Sequence, residues 1–139
     1  MTSTAEQGAM AASAVEEFGR RFLAGDRDGA MGMLHSGFRI QQPASLPHGG
    51  WHHGAQGMAK MGSIFSRYWE RTISDAQIMP CGDGAMQITT QTWTAKDTGR
   101  KATVDVLELF KMSDGLISEI RVFQQDTHLL MSTLASSGS

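Results

Sequence analysis

The chain has 139 residues, of which 40% are hydrophobic and 19% charged, and its formal net charge is −2. This length suits one domain with a substantial core, and the dispersed Lys and Arg residues form no basic stripe of the kind that binds nucleic acid. The single cysteine, Cys81, excludes an internal disulfide framework, and without a leader-like segment or an apolar run of about 18 residues we expect a cytoplasmic protein with no membrane partner.

Two helices are predicted at the start of the chain. The polar residues 1–8 and 135–139 are expected to be mobile tails, and residues 9–134 a single domain without internal repeats or linkers. From Met10 the apolar side chains recur at helical spacing and stop before Gly25, where glycine suits a helix C-terminus. Asp26 is a candidate cap for a second, shorter helix.

A strand and a histidine-rich loop follow these helices. Phe38 to Gln42 alternates between apolar and polar residues as a strand does, and Pro43 ends it. The next segment reads PASLPHGGWHHG (residues 43–54), and we expect it to form the lip of a cavity. Its histidines have neither the paired spacing nor the accompanying carboxylate of a metal site, so we predict no metal and no cofactor.

A third amphipathic helix is predicted from Gly54 to about Trp69, with Phe65 on its apolar face. Aromatic side chains at the end of such a helix either seal the core or line a pocket. A threonine-rich strand is predicted over residues 85–95. Its threonines are expected to face inward, with Trp93 on the outer face.

The strongest strand signal is a hairpin over residues 101–126, in which strand-favouring residues flank the turn sequence Ser-Asp-Gly. One face of the hairpin is predicted to pair Glu108 with Arg121 across the strands and is interpreted as the outer surface of the sheet. Its apolar band is too large to leave in water, so we expect a homodimer through it. The band consists of Val104, Val106, Phe110, Ile117 and Phe123.

The opposite face of the hairpin supplies a candidate site. Pairing about the turn directs Thr103, Asp105, Val122 and Gln124 toward the interior. An acid flanked by apolar and amide groups is a candidate general acid or base, because burial raises a carboxyl pKa toward neutrality. A solvated aspartate at a strand end is the structural alternative.

Helices followed by a run of strands predict the α+β class: a strongly curved antiparallel sheet, covered on its concave face by about three helices, forming a cone-shaped cavity. The element order resembles the SnoaL-like branch of the nuclear transport factor 2-like superfamily. The segments that carry the resemblance are PASLPHGGWHHG, leading into the third helix, and ELFKMSDGLISEIRVFQQDT near the end. It covers nearly all of residues 10–134.

Only some of the catalytic acids of the related enzymes have an acidic residue at the matching position of this chain. Steroid isomerases of this fold place their base in the loop after the first strand, and the matching residue here is Gln42, an amide that cannot abstract a proton. Epoxide hydrolases use an Arg and an Asp two positions apart with an Asp on the next strand. The matching residues are Thr103, Asp105 and Val122. Polyketide cyclases of the SnoaL kind also place an acid near Val122.

The combined prediction is a protein that binds a small, largely apolar or aromatic molecule in the cone, with Asp105 as the catalytic carboxylate of an isomerase, cyclase or hydrolase. The alternatives are a non-catalytic ligand-binding or dimeric accessory module of the same fold, and a cone filled by side chains. The predicted substrate-binding residues are Gln42, His48, Trp51, Phe65, Trp69, Thr103, Val122 and Gln124.

Overall fold

The structure, a computed structural model, describes residues 2–135. Its elements are α1 (Thr4–Leu23), α2 (Arg27–Met31), β1 (Leu34–Gln42), β2 (Gly50–His53), α3 (Gly54–Tyr68), β3 (Trp69–Cys81), β4 (Gly84–Ala95), β5 (Lys101–Ser113), β6 (Leu116–Gln124) and α4 (Thr127–Ser132). The strands form one curved, unclosed sheet in the order β2-β1-β6-β5-β4-β3. The α+β class is confirmed, and because β1 runs parallel to β6 the sheet is mixed. Among residues 2–135, none of the helices combines the length and apolarity needed to span a lipid bilayer.

Side-chain caps account for where the first helices begin. Ser3 accepts a hydrogen bond from the first turn of α1, and Asp26 does the same for α2. Because α1 begins at Thr4 and Gly8 is buried, the prediction of a mobile tail is wrong for residues 4–8. Residues 136–139 of the predicted C-terminal tail lie outside the described residues.

The core lies between the helices and the concave face of the sheet. Helix α1 packs on β3, β4 and β5, and α3 packs mainly on β1 and β2. Successive residues of a strand point to opposite faces, so each strand contributes alternate side chains to this core. The largest fully buried strand residues are Phe38, Trp69, Trp93, Val104, Val106, Ile117 and Ile120.

A β-bulge in the β5–β6 hairpin changes the predicted pairing. Ser118 is an extra residue on β6, so the pairing beyond it moves by one position. Glu108 therefore lies opposite Val122, not opposite Arg121. The predicted ion pair between Glu108 and Arg121 is wrong, because the one-residue change turns the two side chains to opposite faces of the sheet.

The bulge also overturns the predicted outer face. Four of the five apolar residues assigned to the outer band are buried core residues: Val104, Val106, Phe110 and Ile117. Phe123 is the member of that band that is exposed, at 42%. Trp93 was predicted to face outward, but it is 1% exposed and points toward the helices.

Candidate functional site

A polar row crosses the concave face of the sheet. Gln87, Glu108 and Val122 are successive partners on β4, β5 and β6, and Gln42 ends β1 next to β6. The amide Nε2 of Gln87 donates a hydrogen bond to Glu108 Oε1 at 3.1 Å. Burial raises the pKa of Glu108, against the opposing effects of the Arg71 charge and of the hydrogen bond from Gln87. The row therefore presents a carboxyl group that holds its proton more tightly than a carboxyl group in water.

Arg71 supplies a positive charge on the same face. It pairs with Trp93 across β3 and β4, which turns it to the concave side, and its guanidinium lies 5.0 Å from the centroid of the Phe65 ring. Burial lowers the pKa of Arg71, and the Glu108 carboxylate opposes that change. The side chain nevertheless keeps much of its surface accessible. The guanidinium is therefore close to other protein groups and still open to solvent.

An aromatic cluster surrounds His48. The ring centroids of Phe65, Trp69 and Trp93 lie 5.4, 6.2 and 5.9 Å from the centroid of the imidazole. Burial lowers the pKa of His48 to about 4, and the nearby charge of Arg71 contributes. The imidazole is therefore neutral at neutral pH, so it can donate a hydrogen bond from one ring nitrogen and accept one at the other.

Three buried polar atoms have no hydrogen-bond partner within the described part of the chain: Gln42 Oε1, His48 Nδ1 and Gln124 Oε1. Gln42 is 8% and His48 3% exposed. The amide Nε2 of Gln42 contacts Met61 Sδ at 3.3 Å, and a thioether is a weak acceptor. An unpaired buried polar atom costs about 1–3 kcal/mol, so these atoms are available to pair with a bound molecule.

Gln42, Val122 and Gln124 also line a depression of about 360 Å³ where β1 and β6 end. This volume falls within the range of about 300 to 1,000 Å³ that is usual for small-molecule sites. We use the term cup for the concave side of the sheet around Gln42, His48, Arg71, Glu108 and Gln124. The 360 Å³ depression lies at its Gln42 and Gln124 end and is not lined by His48, Arg71 or Glu108. The cup combines a proton-holding carboxyl, a guanidinium and unpaired amide oxygens beside apolar walls.

Six of the nine predicted site residues lie on this concave side of the sheet. They come from β1, the β1–β2 loop, α3, β3 and β6, which the curvature of the sheet and the position of α3 bring together. They are Gln42, His48, Phe65, Trp69, Val122 and Gln124.

The remaining three predicted residues lie on the convex side. Asp105 is exposed and accepts a hydrogen bond from Thr90 Oγ1 at 2.9 Å, Thr103 is exposed, and the Trp51 ring packs against the Arg39 guanidinium at 4.1 Å. The prediction that Asp105 and Thr103 face the interior is wrong. The bulge in β6 shifts the pairing by one residue, so the opposite face of β5 lies beside the interior face of β6. A second depression, of about 330 Å³, includes Asp105 but opens on this convex face.

Four residues of the cup and its walls were not predicted from the sequence. The alternation of apolar side chains along β5 was the available signal for Glu108, since it predicts that even-numbered residues face the core. Arg71 had no comparable signal, because most of β3 is exposed and its sequence does not alternate. The four residues are Arg71, Gln87, Trp93 and Glu108.

The curved sheet and its helical cover define an NTF2-like fold. An NTF2-like protein from Burkholderia thailandensis E264 superimposes with a TM-score of 0.82 at 16% identity, over 90% of this chain and 97% of that one. A putative polyketide cyclase from Pseudomonas putida KT2440 gives a TM-score of 0.69 at 15% identity, covering 97% of this chain and 100% of that one. TerC, co-crystallized with polyporic acid, gives 0.76 at 18% identity, covering 87% and 95%.

The family assignment follows from the sequence of the same region. The model of the SnoaL-like domain family matches residues 15–120, so the chain belongs to the SnoaL-like family. The predicted resemblance is thereby confirmed. A search of curated proteins found no match for this chain.

Proposed function

We propose that this SnoaL-like domain binds a small, largely apolar or aromatic molecule in the cup and moves a proton on it through Glu108. The observation that carries the proposal is the Glu108 carboxyl itself, which faces the cup and whose pKa is raised by burial. A carboxyl group whose pKa lies above its ordinary value can both take and return a proton, which is typically worth about 10² to 10⁴ in rate. The similarity to proteins called polyketide cyclases and to TerC, crystallized with polyporic acid, supports this class of ligand.

Four polar side chains on the concave face, those of Gln42, Gln87, Glu108 and Gln124, have roles in the proposed reaction. The Glu108 carboxylate removes a proton from a carbon next to a ligand carbonyl, which leaves an enolate and the protonated acid, and it returns that proton to the same or to another carbon. Gln87 orients the carboxyl through its hydrogen bond. The unpaired oxygens of Gln42 and Gln124 accept hydrogen bonds from ligand hydroxyl groups.

Hydrogen–deuterium exchange tests the proton-transfer step without knowledge of the natural substrate. The probe is β-tetralone, an apolar bicyclic ketone with acidic protons next to its carbonyl, and NMR in D₂O measures how fast those protons exchange. We expect the wild-type protein to accelerate exchange. In the Glu108→Gln variant the accelerated rate should be lower by a factor of about 10² to 10⁴. This variant keeps an acceptor oxygen for Gln87.

The matched control is Asp105→Asn, which removes a carboxylate from the convex face. It should exchange at the wild-type rate, because Asp105 does not face the cup. Equal rates for wild type and Glu108→Gln would refute Glu108 as the proton carrier. Saturable binding of β-tetralone with no accelerated exchange in any variant would instead favour the non-catalytic binding module.

A second proposal is that the domain forms a homodimer through the convex face of its sheet. This face carries a partly exposed convex patch, made of Ile88, Leu107, Leu109 and Phe123. The second depression opens on this patch.

The charges around the convex patch favour a second copy as its partner. Arg121 on β6 pairs with Leu109 on β5, four residues along β5 from Asp105, and Leu107 lies between these two positions. At about 3.4 Å per residue this separates them by about 14 Å along the strands. A twofold axis through the patch brings Asp105 opposite the partner's Arg121 and covers Phe123.

Sedimentation velocity at micromolar concentrations tests the homodimer. We expect a dimer for the wild type and a monomer for Leu107→Lys, because the substitution places a charge at the centre of the proposed interface. Gln56→Lys, on an exposed position of α3, adds the same charge elsewhere and should remain dimeric. A monomeric wild type would eliminate this proposal.

A further inference from the structure

Arg71 is a partly accessible cation on the concave side with no ionic partner within residues 2–135. Within residues 2–135 its guanidinium makes no hydrogen bond and has no carboxylate within 4.0 Å. Its described neighbour is the ring of Phe65, at 5.0 Å. A cation–π contact attracts the guanidinium to the ring face, and it satisfies none of the guanidinium N–H donors.

While Glu108 is protonated, the charges around the cup leave that cation uncompensated. The groups whose charges influence Arg71 from neighbouring elements are Glu108 on β5 and His48 in the β1–β2 loop. His48 is neutral at neutral pH, and Glu108 holds its proton more tightly than an exposed acid. When Glu108 is protonated, the cup carries one net positive charge in partly desolvated surroundings, where a charge without a counter-ion is costly.

We propose that the cup recognises its ligand as an anion, with the acidic oxygen of an aromatic carboxylate, phenolate or enolate on the guanidinium of Arg71. This inference names the ligand class and rests on the proposed binding function. The planar guanidinium fork pairs with two oxygens at once, which a carboxylate or a vicinal hydroxy-carbonyl pair supplies.

The walls next to Arg71 fit the aromatic part of such an anion. Phe65 lies under the guanidinium and meets Trp93 edge to face, with the two ring centroids 4.9 Å apart. His48 completes this wall and leaves Nδ1 unpaired. An aromatic acid can therefore place its rings against apolar surface while its charged end reaches Arg71.

Isothermal titration calorimetry with naphthoate and naphthamide tests the inference. The two probes share their rings and nearly their shape, but naphthoate is an anion and naphthamide is neutral. We expect the wild type to bind naphthoate about 10- to 100-fold more tightly, the range that corresponds to about 1.5–3 kcal/mol for a hydrogen bond to a charged group. Arg71→Gln should abolish this preference by weakening the binding of naphthoate more than that of naphthamide.

Two further variants separate a specific contact from general charge attraction. Arg67→Gln removes the same charge from an exposed position of α3, and it should keep the wild-type preference at physiological ionic strength, where exposed charges are screened. Arg71→Lys retains the charge without the planar fork and should keep only part of the preference.

The outcomes distinguish failure of this inference from failure of the proposed function. Equal affinity for both probes in the wild type and in Arg71→Gln would overturn anion recognition while leaving ligand binding in the cup intact. Binding of neither probe would overturn both. A preference for naphthoate that survives in Arg71→Gln would also refute the role of Arg71.

Discussion

Acidification should destabilise the fold through His48. Its side chain is 3% exposed, and burial, assisted by the charge of Arg71, lowers its pKa from the ordinary 6.5 to about 4. In the unfolded chain the imidazole takes up a proton near pH 6.5, whereas in the folded protein it resists protonation until about pH 4. The unfolded state therefore binds more protons throughout this interval, and the free energy of unfolding falls as the pH falls from 6.5 to 4.

The expected loss follows from the two pKa values of His48. Each tenfold change in proton affinity is worth about 1.4 kcal/mol, so the change from 6.5 to about 4 corresponds to about 3 kcal/mol. That is a large part of the stability of a typical domain, about 5–15 kcal/mol. Urea unfolding at a series of pH values, followed by the fluorescence of the buried Trp69 and Trp93 and by circular dichroism, measures it.

The variant His48→Gln removes the titrating group and keeps a polar side chain. It should lose about 3 kcal/mol less than the wild type between neutral pH and about pH 4. Glu108 acts in the opposite direction: its raised pKa means that its stabilisation is complete at acidic pH and declines as the pH rises above 4.5. Both proteins contain Glu108, so their difference isolates His48.

The control for this experiment is His53→Gln, which changes an exposed histidine of β2. Its pH profile should follow that of the wild type. Parallel pH profiles for His48→Gln and the wild type would refute the reasoning, because they would show that the buried imidazole does not resist protonation.

Urea unfolding also tests two features of the packing. Gly8→Ala should lower the free energy of unfolding by about 1–2 kcal/mol, because a Cβ there would lie 2.5 Å from a carbonyl oxygen of the β3–β4 turn. The control is Gly19→Ala, whose Cβ would meet no atom within 4 Å. It should raise the free energy of unfolding by about 0.5–1 kcal/mol. A stabilising Gly8→Ala would contradict the close approach of α1 to the turn. Thr133→Val removes the oxygen that accepts the hydrogen bond of the Trp69 indole N–H, at 2.8 Å. It should lower the free energy of unfolding by about 1–3 kcal/mol, whereas the control Thr72→Val, at an exposed position, should stay within about 0.5 kcal/mol of the wild type. Equal effects of the two substitutions would show that the buried hydrogen bond contributes nothing.

Local patterns predicted most of the elements and much of the β6 side of the cup, although β2 lies in a segment that was predicted as a loop. Val122 and Gln124 were placed on the interior face by pairing about the turn, and both lie there. His48 was placed in a loop at the lip of a cavity, and the structure buries it among aromatic rings. The aromatic side chains at the junction of α3 and β3 were expected to seal the core or line a pocket, and Trp69 seals the core at 1% exposure.

The sequence by itself determined the α+β class and the order of most elements, because helical and strand periodicities and turn residues act over a few neighbouring positions. The resemblance carried by residues 43–54 and 108–127 indicated the family. The tertiary structure decided which carboxyl faces the cup. Because of one extra residue, Ser118, Glu108 faces the concave side in place of Asp105. A bulge of one residue cannot be recognised from the local sequence pattern. The contact between Arg71 and Phe65 likewise depends on how α3 packs against the sheet, which no local sequence pattern specifies.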